Sequence, residues 1–383
     1  MKLFDVLSNS ENKLRTYNDF IMYKTISNDI PYTALLELSP VCNLDCQMCY
    51  IRMTEDEVKK SGNHIMRFDE WKYYIDSFCD MGVMNLTLTG GECTLHPDFA
   101  EIYSYAYDKG LQVSLITNGS CLNEKLFELF LNKPPRAISL TIYGTSEETY
   151  KKFCRNGAAY KKVVENIDRL VSMKILPGLQ YTCGNDNLDD FEDAFLFAKG
   201  KGLDFIFVGD FLNFNKCDAD KIAFAKLEDE ERFNQIAKKI QCRRFNITEE
   251  EFDDNRSKLT EIDPSKPILT KGIGCNAGHN SCTVNWQGKM KPCIALDAFA
   301  LDPRENGGVE KCWHEITEWV SNLPRIIECQ TCIFYNRCKH CTAFHYGDTH
   351  EFGKVSPRLC FKKTHPEEAA RLQAEYDKTH KKD

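Results

Sequence analysis

From residue 34 onward, short runs of β-branched and aliphatic residues alternate with longer stretches whose apolar positions recur at helical spacing. The β-rich runs fall at 34–38, 84–88, 112–117, 137–142, 179–183 and 205–208. Between them, residues 69–81 place Trp71, Tyr74, Ile75, Phe78 and Met81 near a helical period; 98–109, 123–131, 146–153, 160–173 and 188–200 read the same way. Asp98 and Asn123 stand where N-caps belong, and Thr145 with Glu148 three residues on predicts a capping box. Strands alternating with helices imply βα units and a parallel sheet. Six units fall short of the eight that close a barrel, so the expected fold is α/β, an open six-unit (β/α)6 partial barrel over residues 34–210.

The period is lost after about residue 211. Residues 211–270 predict a charged helical linker, clearest in EDEERFNQIAKKI and ended by Pro264 and Pro267. Residues 271–363 hold nine cysteines and form a second, cysteine-dense domain. Residues 1–33, with Tyr17, Phe20 and Tyr23, predict a helix or short lid, and 364–383 a polar C-terminal helix.

A formal net charge of −8 over 383 residues gives no global attraction to nucleic acid or to an anionic membrane. No stretch approaches the roughly 18 apolar residues of a membrane-spanning helix. The N-terminus has no apolar core of signal-peptide length, so the chain is expected in the cytoplasm, with no membrane or nucleic-acid partner. Its 19 cysteines are an odd number, which defeats a fully paired disulfide framework, and a reducing compartment would not keep one. Thiolate ligation of metal remains, with the other cysteines buried as small hydrophobes.

Cys42, Cys46 and Cys49 form a C-x3-C-x2-C motif in LSPVCNLDCQMCYIR, directly after the first predicted strand. Catalytic groups of βα barrels gather on such strand-end loops. Three ligands on a four-iron cluster leave one iron open for chemistry; a three-thiolate zinc site is the alternative. With this motif the sequence resembles the radical S-adenosylmethionine (SAM) enzymes. The resemblance implies a [4Fe–4S] cluster at Cys42, Cys46 and Cys49, with SAM chelating the open iron. It implies reductive cleavage of SAM to methionine and a 5′-deoxyadenosyl radical, which abstracts a substrate hydrogen. Met48 replaces the aromatic residue usual before the third cysteine. The family's GGE motif is matched by Gly90, Gly91 and Glu92, with Cys93 where a proline usually follows. Further SAM contacts are implied at Asn118 in LITNG, at Thr141 in ISLTIYG and at Arg155.

The C-terminal spacing is Cys275-x12-Gly288-x4-Cys293, then Cys329-x2-Cys332-x5-Cys338-x2-Cys341, then Cys360. It resembles the signature of the SPASM domain, one residue short between Cys338 and Cys341. That resemblance implies two auxiliary [4Fe–4S] clusters, three in all. Cys275, Cys282, Cys293 and Cys341 would hold the first; Cys329, Cys332, Cys338 and Cys360 the second. Two four-thiolate zinc sites are the alternative, since CxxC pairs suit zinc equally. His279, His340 and His345 are read as ordinary loop histidines. Cys79, Cys93, Cys121, Cys154, Cys183, Cys217, Cys242 and Cys312 are read mostly as buried hydrophobes.

SPASM enzymes mostly act on peptides or proteins. Sulfatase-maturating members have an Asp base right after the second SPASM cysteine; here Ile294 stands there, with Asp297 four residues after Cys293. IYGTSEETYKKFCRNG resembles the corresponding loop of peptide maturases. The expected activity is oxidative modification, by cross-linking, of a ribosomally made peptide. The implied partners are that peptide, a separate leader-recognition protein, and a low-potential electron donor such as flavodoxin or ferredoxin. The alternatives are a sulfatase-maturating (formylglycine-generating) enzyme, a small-molecule radical SAM dehydrogenase, and a non-enzymatic zinc or Fe–S scaffold, which would have no use for GGE.

Overall fold

The structure, a computed structural model, describes residues 16–209, 227–257, 259–261 and 266–380. Cys217, Pro264 and the outer parts of the expected terminal and linker segments lie outside the described residues. Six parallel strands follow the predicted runs to within a residue: β1 Thr33–Glu37, β2 Asn85–Thr89, β3 Gln112–Thr117, β4 Ala137–Ile142, β5 Gly178–Thr182 and β6 Asp204–Val208. Helices Phe68–Asp80, Phe99–Asp108, Glu124–Asn132, Glu147–Cys154, Ala159–Ser172 and Phe191–Gly200 connect them. Each buries the apolar face its spacing predicts; Trp71, Tyr74, Ile75 and Phe78, at i, i+3, i+4 and i+7, are fully buried. Asn123 caps its helix by accepting from Leu126 N–H. The expected Thr145 box is replaced by Ser146, whose hydroxyl accepts from Thr149 N–H, because Thr145 N–H is already bonded to Asp190. Asp98 stands at an N-cap but makes no cap bond there; its carboxylate binds Arg67 and Phe68 N–H instead.

The sheet does not stop at residue 210. Its order is β6-β5-β4-β3-β2-β1-β7-β8, where β7 is Ser281–Val284 and β8 is Met290–Lys291. β7 runs parallel to β1, with Ala34 opposite Cys282 and Leu36 opposite Val284, and β8 returns antiparallel. The cysteine-dense region thus supplies the strands on the outer side of β1. Tyr74 OH donates to Gly288 O at 2.7 Å, and Trp313 Nε1 to Asp29 O at 2.7 Å, which fastens the two parts together. The linker region contributes helices Glu230–Phe245 and Glu249–Ser257, and the chain's last described helix is Pro366–His380. A helix also forms at Tyr17–Ser27, within the expected N-terminal segment.

Candidate active site

The loop between β1 and residue 54 carries the three cysteines of the first motif. Its backbone is pinned by neighbouring strand ends. Gly91 N–H donates to Ser39 O at 2.7 Å and Glu92 N–H to Val41 O at 2.9 Å. Only glycine fits here: Gly90 has φ +146°, and a Cβ on it would sit 2.4 Å from Ser39 O, while one on Gly91 would sit 2.5 Å from Val41 O. The Gly-Gly pair therefore lets the β2 loop lie directly on the cysteine loop, and brings Glu92 with it.

The Cys42 sulfur accepts from Leu44 N–H at 3.4 Å and faces Asn118 Nδ2 at 3.6 Å. The Cys49 sulfur accepts from Arg52 N–H at 3.3 Å. Burial pushes the Cys42 thiol up to about 12, helped by the charges of Glu92, Cys46 and Cys49. Cys46 is raised well above the usual thiol range, first by the neighbouring Cys154 thiol and then by burial. All three thiols are close enough to Tyr143 for their charges to raise it, after burial. One buried and two half-buried thiols and a buried carboxylate that oppose one another's ionisation form a donor set suited to a bound cation, which would replace the protons. The residues present therefore fit an iron–sulfur cluster. Among the described residues, no three His, Cys, Asp or Glu side chains are drawn together as tightly as a single metal ion requires.

Glu92 is fully buried and densely bonded. Its carboxylate accepts from Thr94 Oγ1 at 2.6 Å, Thr117 Oγ1 at 2.8 Å and Asn118 N–H at 2.8 Å. Burial raises its carboxyl, against the pull of those bonds. Asn118 Nδ2 also reaches Asn43 Oδ1 at 3.0 Å. Thr141 is buried on β4. Arg155 is exposed, in the left-handed conformation that ends the Glu147–Cys154 helix.

A second polar group went unread in the sequence. Glu37 and Lys291 share the sheet face opposite Leu36, and both side chains are wholly buried. Lys291 Nζ lies 2.7 Å from Asp297 and 3.9 Å from Glu37, and donates to Ile294 O. Tyr50 OH donates to Glu37 at 2.8 Å, and burial followed by the Glu37 charge raises that phenol. The group links Tyr50, next to Cys49, with the residues just after Cys293. A buried Glu or Lys was the only sequence signal, and it surfaces only once β8 is placed beside β7.

In the C-terminal region Cys275, Cys293 and Cys341 lie near enough for their charges to act on one another. Cys329, Cys332, Cys338 and Cys360 form a second such group, and the Cys338 sulfur accepts from Phe361 N–H at 3.3 Å. Cys282 is placed elsewhere. It sits on β7 opposite Ala34, buried in the main core, on the face of the sheet away from Lys291. Its thiol is raised to about 12 by burial alone. His279, His340 and His345 bond Asp29, Tyr335 O, and Lys339 O with Ser356 N–H, respectively.

Residues 36–198 match the radical SAM superfamily. Across its length the chain is similar to the AdoMet-dependent heme synthase of Methanosarcina barkeri, at 26% identity over 85% of this chain and 95% of that one. The antilisterial bacteriocin subtilosin biosynthesis protein AlbA of Bacillus subtilis is 23% identical over 78% of this chain and 61% of its own. Streptococcus suis SuiB bound to precursor peptide SuiA has the same fold, with a TM-score of 0.57 at 14% identity, covering 89% of this chain and 82% of that one. No helix among the described residues is long and apolar enough to cross a membrane. A parallel α/β sheet whose strand-end loops gather Cys42, Cys46, Cys49 and Gly90–Glu92 thus meets an independent family match: residues 36–198 form a radical SAM domain, in a chain similar to the subtilosin biosynthesis protein AlbA.

Proposed function

We propose that this chain is a radical SAM enzyme of the SPASM type that oxidatively modifies, by cross-linking, a ribosomally made peptide. The observation that carries the radical SAM part is the meeting of Cys42, Cys46 and Cys49 with Glu92 and Asn118 on three successive strand-end loops. Cys42, Cys46 and Cys49 would hold the cluster that binds SAM, and Gly90, Gly91, Glu92, Asn118, Thr141 and Arg155 would line the cofactor. SAM held there supplies, on reduction, a carbon radical able to take a hydrogen atom from the substrate. Cys275, Cys293 and Cys341, and the set of Cys329, Cys332, Cys338 and Cys360, would hold two auxiliary clusters of the electron-accepting kind.

This chain's own residues supply the rest. Glu92 is fixed by Thr94, Thr117 and Asn118, so its carboxylate is oriented before any ligand arrives. Asp297, about one-fifth exposed and ion-paired to buried Lys291, follows Cys293 of the first auxiliary set by four residues. The peptide reading is supported by the similarity to AlbA, by the maturase-like segment Ile142–Gly157, and by Ile294 where sulfatase-maturating enzymes have an acid. A low-potential flavodoxin or ferredoxin and a leader-recognition protein complete it.

A second reading, oxidation of a small molecule, is favoured by the match to the heme synthase over nearly the whole of that protein. The test is anaerobic. Protein with Cys42, Cys46 and Cys49 all changed to Ala should keep its C-terminal iron and release no 5′-deoxyadenosine; release at the parent rate refutes the site. Incubation with a peptide encoded beside this chain's gene should give a product lighter by two hydrogens per cross-link. An unchanged peptide mass with efficient turnover of a small substrate moves the assignment to the second reading.

A further inference from the structure

The loop after β3 meets the cysteine loop through a closed ring of three side chains. Ser120 N–H donates to Asn118 Oδ1 at 2.9 Å. A backbone N–H can only donate, so this contact fixes the amide, with its oxygen toward Ser120 and its nitrogen away. Asn118 Nδ2 then donates to Asn43 Oδ1 at 3.0 Å and to the Cys42 sulfur at 3.6 Å. Asn43 Nδ2 donates to Ser120 Oγ at 2.8 Å, and the Ser120 hydroxyl closes the ring by donating to Asn118 Oδ1 at 2.6 Å. Both hydrogens of the Asn118 amide are thereby placed. A flipped amide would set its oxygen against the Asn43 oxygen and its nitrogen against the Ser120 N–H. The Asn118 backbone is fixed as well, since its N–H is held by Glu92 and the residue is buried. Cys42 also receives Leu44 N–H from its own loop. That donor is backbone and survives a change of side chain; the one from Asn118 does not.

A ligating cysteine has lost its proton and can only accept. An amide N–H aimed at it is a bond to a charged group, stronger than one between neutral partners. Donors at a cluster sulfur favour the reduced state, which carries one more negative charge, and such bonds are among the determinants of cluster potential.

We propose that Asn118 donates a hydrogen bond to the Cys42 sulfur that raises the reduction potential of the cluster held at Cys42, Cys46 and Cys49, and that Asn43 and Ser120 are positioning residues that lock the amide in this orientation. The inference rests on the assignment of those three cysteines as cluster ligands. It gives Asn118 a role toward the cluster besides the SAM contact that the family resemblance implies, and it brings in two residues that no motif marks.

The test is a redox titration followed by electron paramagnetic resonance, on full-length protein reconstituted with iron and sulfide and kept free of SAM. The signal missing from the variant with Cys42, Cys46 and Cys49 changed to Ala marks the cluster of interest. Asn118→Leu keeps the shape and loses the donor. It should make that cluster harder to reduce, by roughly tenfold in the one-electron equilibrium, or about 59 mV. Ser120→Ala and Asn43→Ala each open the ring but leave Ser120 N–H on Asn118 Oδ1, and should shift the equilibrium the same way by about threefold. Ser120→Thr, which keeps the hydroxyl, should titrate as the parent does. A merely structural role would lower iron content and leave the potential of the loaded cluster where it was. An unchanged potential in Asn118→Leu at parent iron content overturns the proposal. Where Asn118→Leu takes up iron poorly, Ser120→Ala and Asn43→Ala decide: parent potentials in both overturn it. A shift in Asn118→Leu with none in the other two removes Asn43 and Ser120 from it. Failure of the ligand assignment looks different, because no signal would then be missing from the variant lacking the three cysteines.

Discussion

The two cysteine-bearing regions of this molecule carry the same side chain on opposite kinds of support. At the mouth of the sheet, three cysteines lie on one loop whose backbone is bonded to the β2 loop and to the end of the Glu147–Cys154 helix. Beneath that loop lies the main core, with Trp71, Tyr74, Phe78 and Phe99 almost wholly buried. In the C-terminal region, the cysteines sit on pieces with little regular structure. Ile327–Gln330 and Phe361–Thr364 are four-residue helices, and the local apolar clusters around Leu296 and around Phe334 are small. A helix of one turn has no stability of its own. The first region is built before its ligand arrives. The second has thiols where another domain would have a core, and on the proposed assignment of two auxiliary clusters ligation and folding would be one event there.

The largest expected effect breaks the comparison in two. Removing iron with a chelator under anaerobic conditions should abolish hydrogen-exchange protection across residues 327–361 while strands β1–β6 keep theirs. Uniform loss across both regions would mean that the sheet, too, depends on metal. Next in size is the buried ion group at the junction. Lys291→Met removes the buried cation that Asp297 and Glu37 share and should cost about 3–5 kcal/mol in denaturant unfolding. Adding Glu37→Gln should recover part of that loss; equal stability of the single and double variants would remove Glu37 from the group. Within the preformed site, Glu92→Gln keeps the shape and removes the charge. SAM binding measured by calorimetry should weaken by about ten- to a hundredfold, with iron content unchanged. The smallest effect lies on the barrel's outer surface, where Asp98 holds the start of the Phe68–Asp80 helix through Arg67 and Phe68 N–H. Arg67 lowers the Asp98 carboxyl below its usual range, so its contribution is whole above the unfolded value near pH 4 and fades as pH falls through the lowered one. Asp98→Asn should cost about 1 kcal/mol at pH 7 and nothing once both forms of the carboxyl are protonated; a deficit that persists at low pH would make it a packing effect.

The six strands and their helices were legible because each buries one face, and a buried face writes its period into the chain. The cysteine loop and the Gly-Gly-Glu loop were legible because close backbone approach admits so few residues. Tertiary placement hid the rest. Cys282 lies among the cysteines in sequence but on the wrong face of β7 to join them in space. Glu37 and Lys291 are distant in sequence and meet only through the pairing of β1 with β7 and of β7 with β8. Ser146 displaced Thr145 as the cap because a side chain from a later loop had already taken the Thr145 N–H.

The pairing of β1 with β7 also sets a schedule. Ala34 leaves the ribosome about 250 residues before its partner Cys282, a wait of roughly 12–50 s at the usual pace of synthesis. Through that interval one edge of the nascent sheet stands open, with backbone groups aligned for any extended chain that passes. A product stopped after β6 keeps that edge for good. Such a fragment should cling to chaperones and aggregate rather than yield a free-standing barrel, and the full chain should gain its solubility only when the last third has been made.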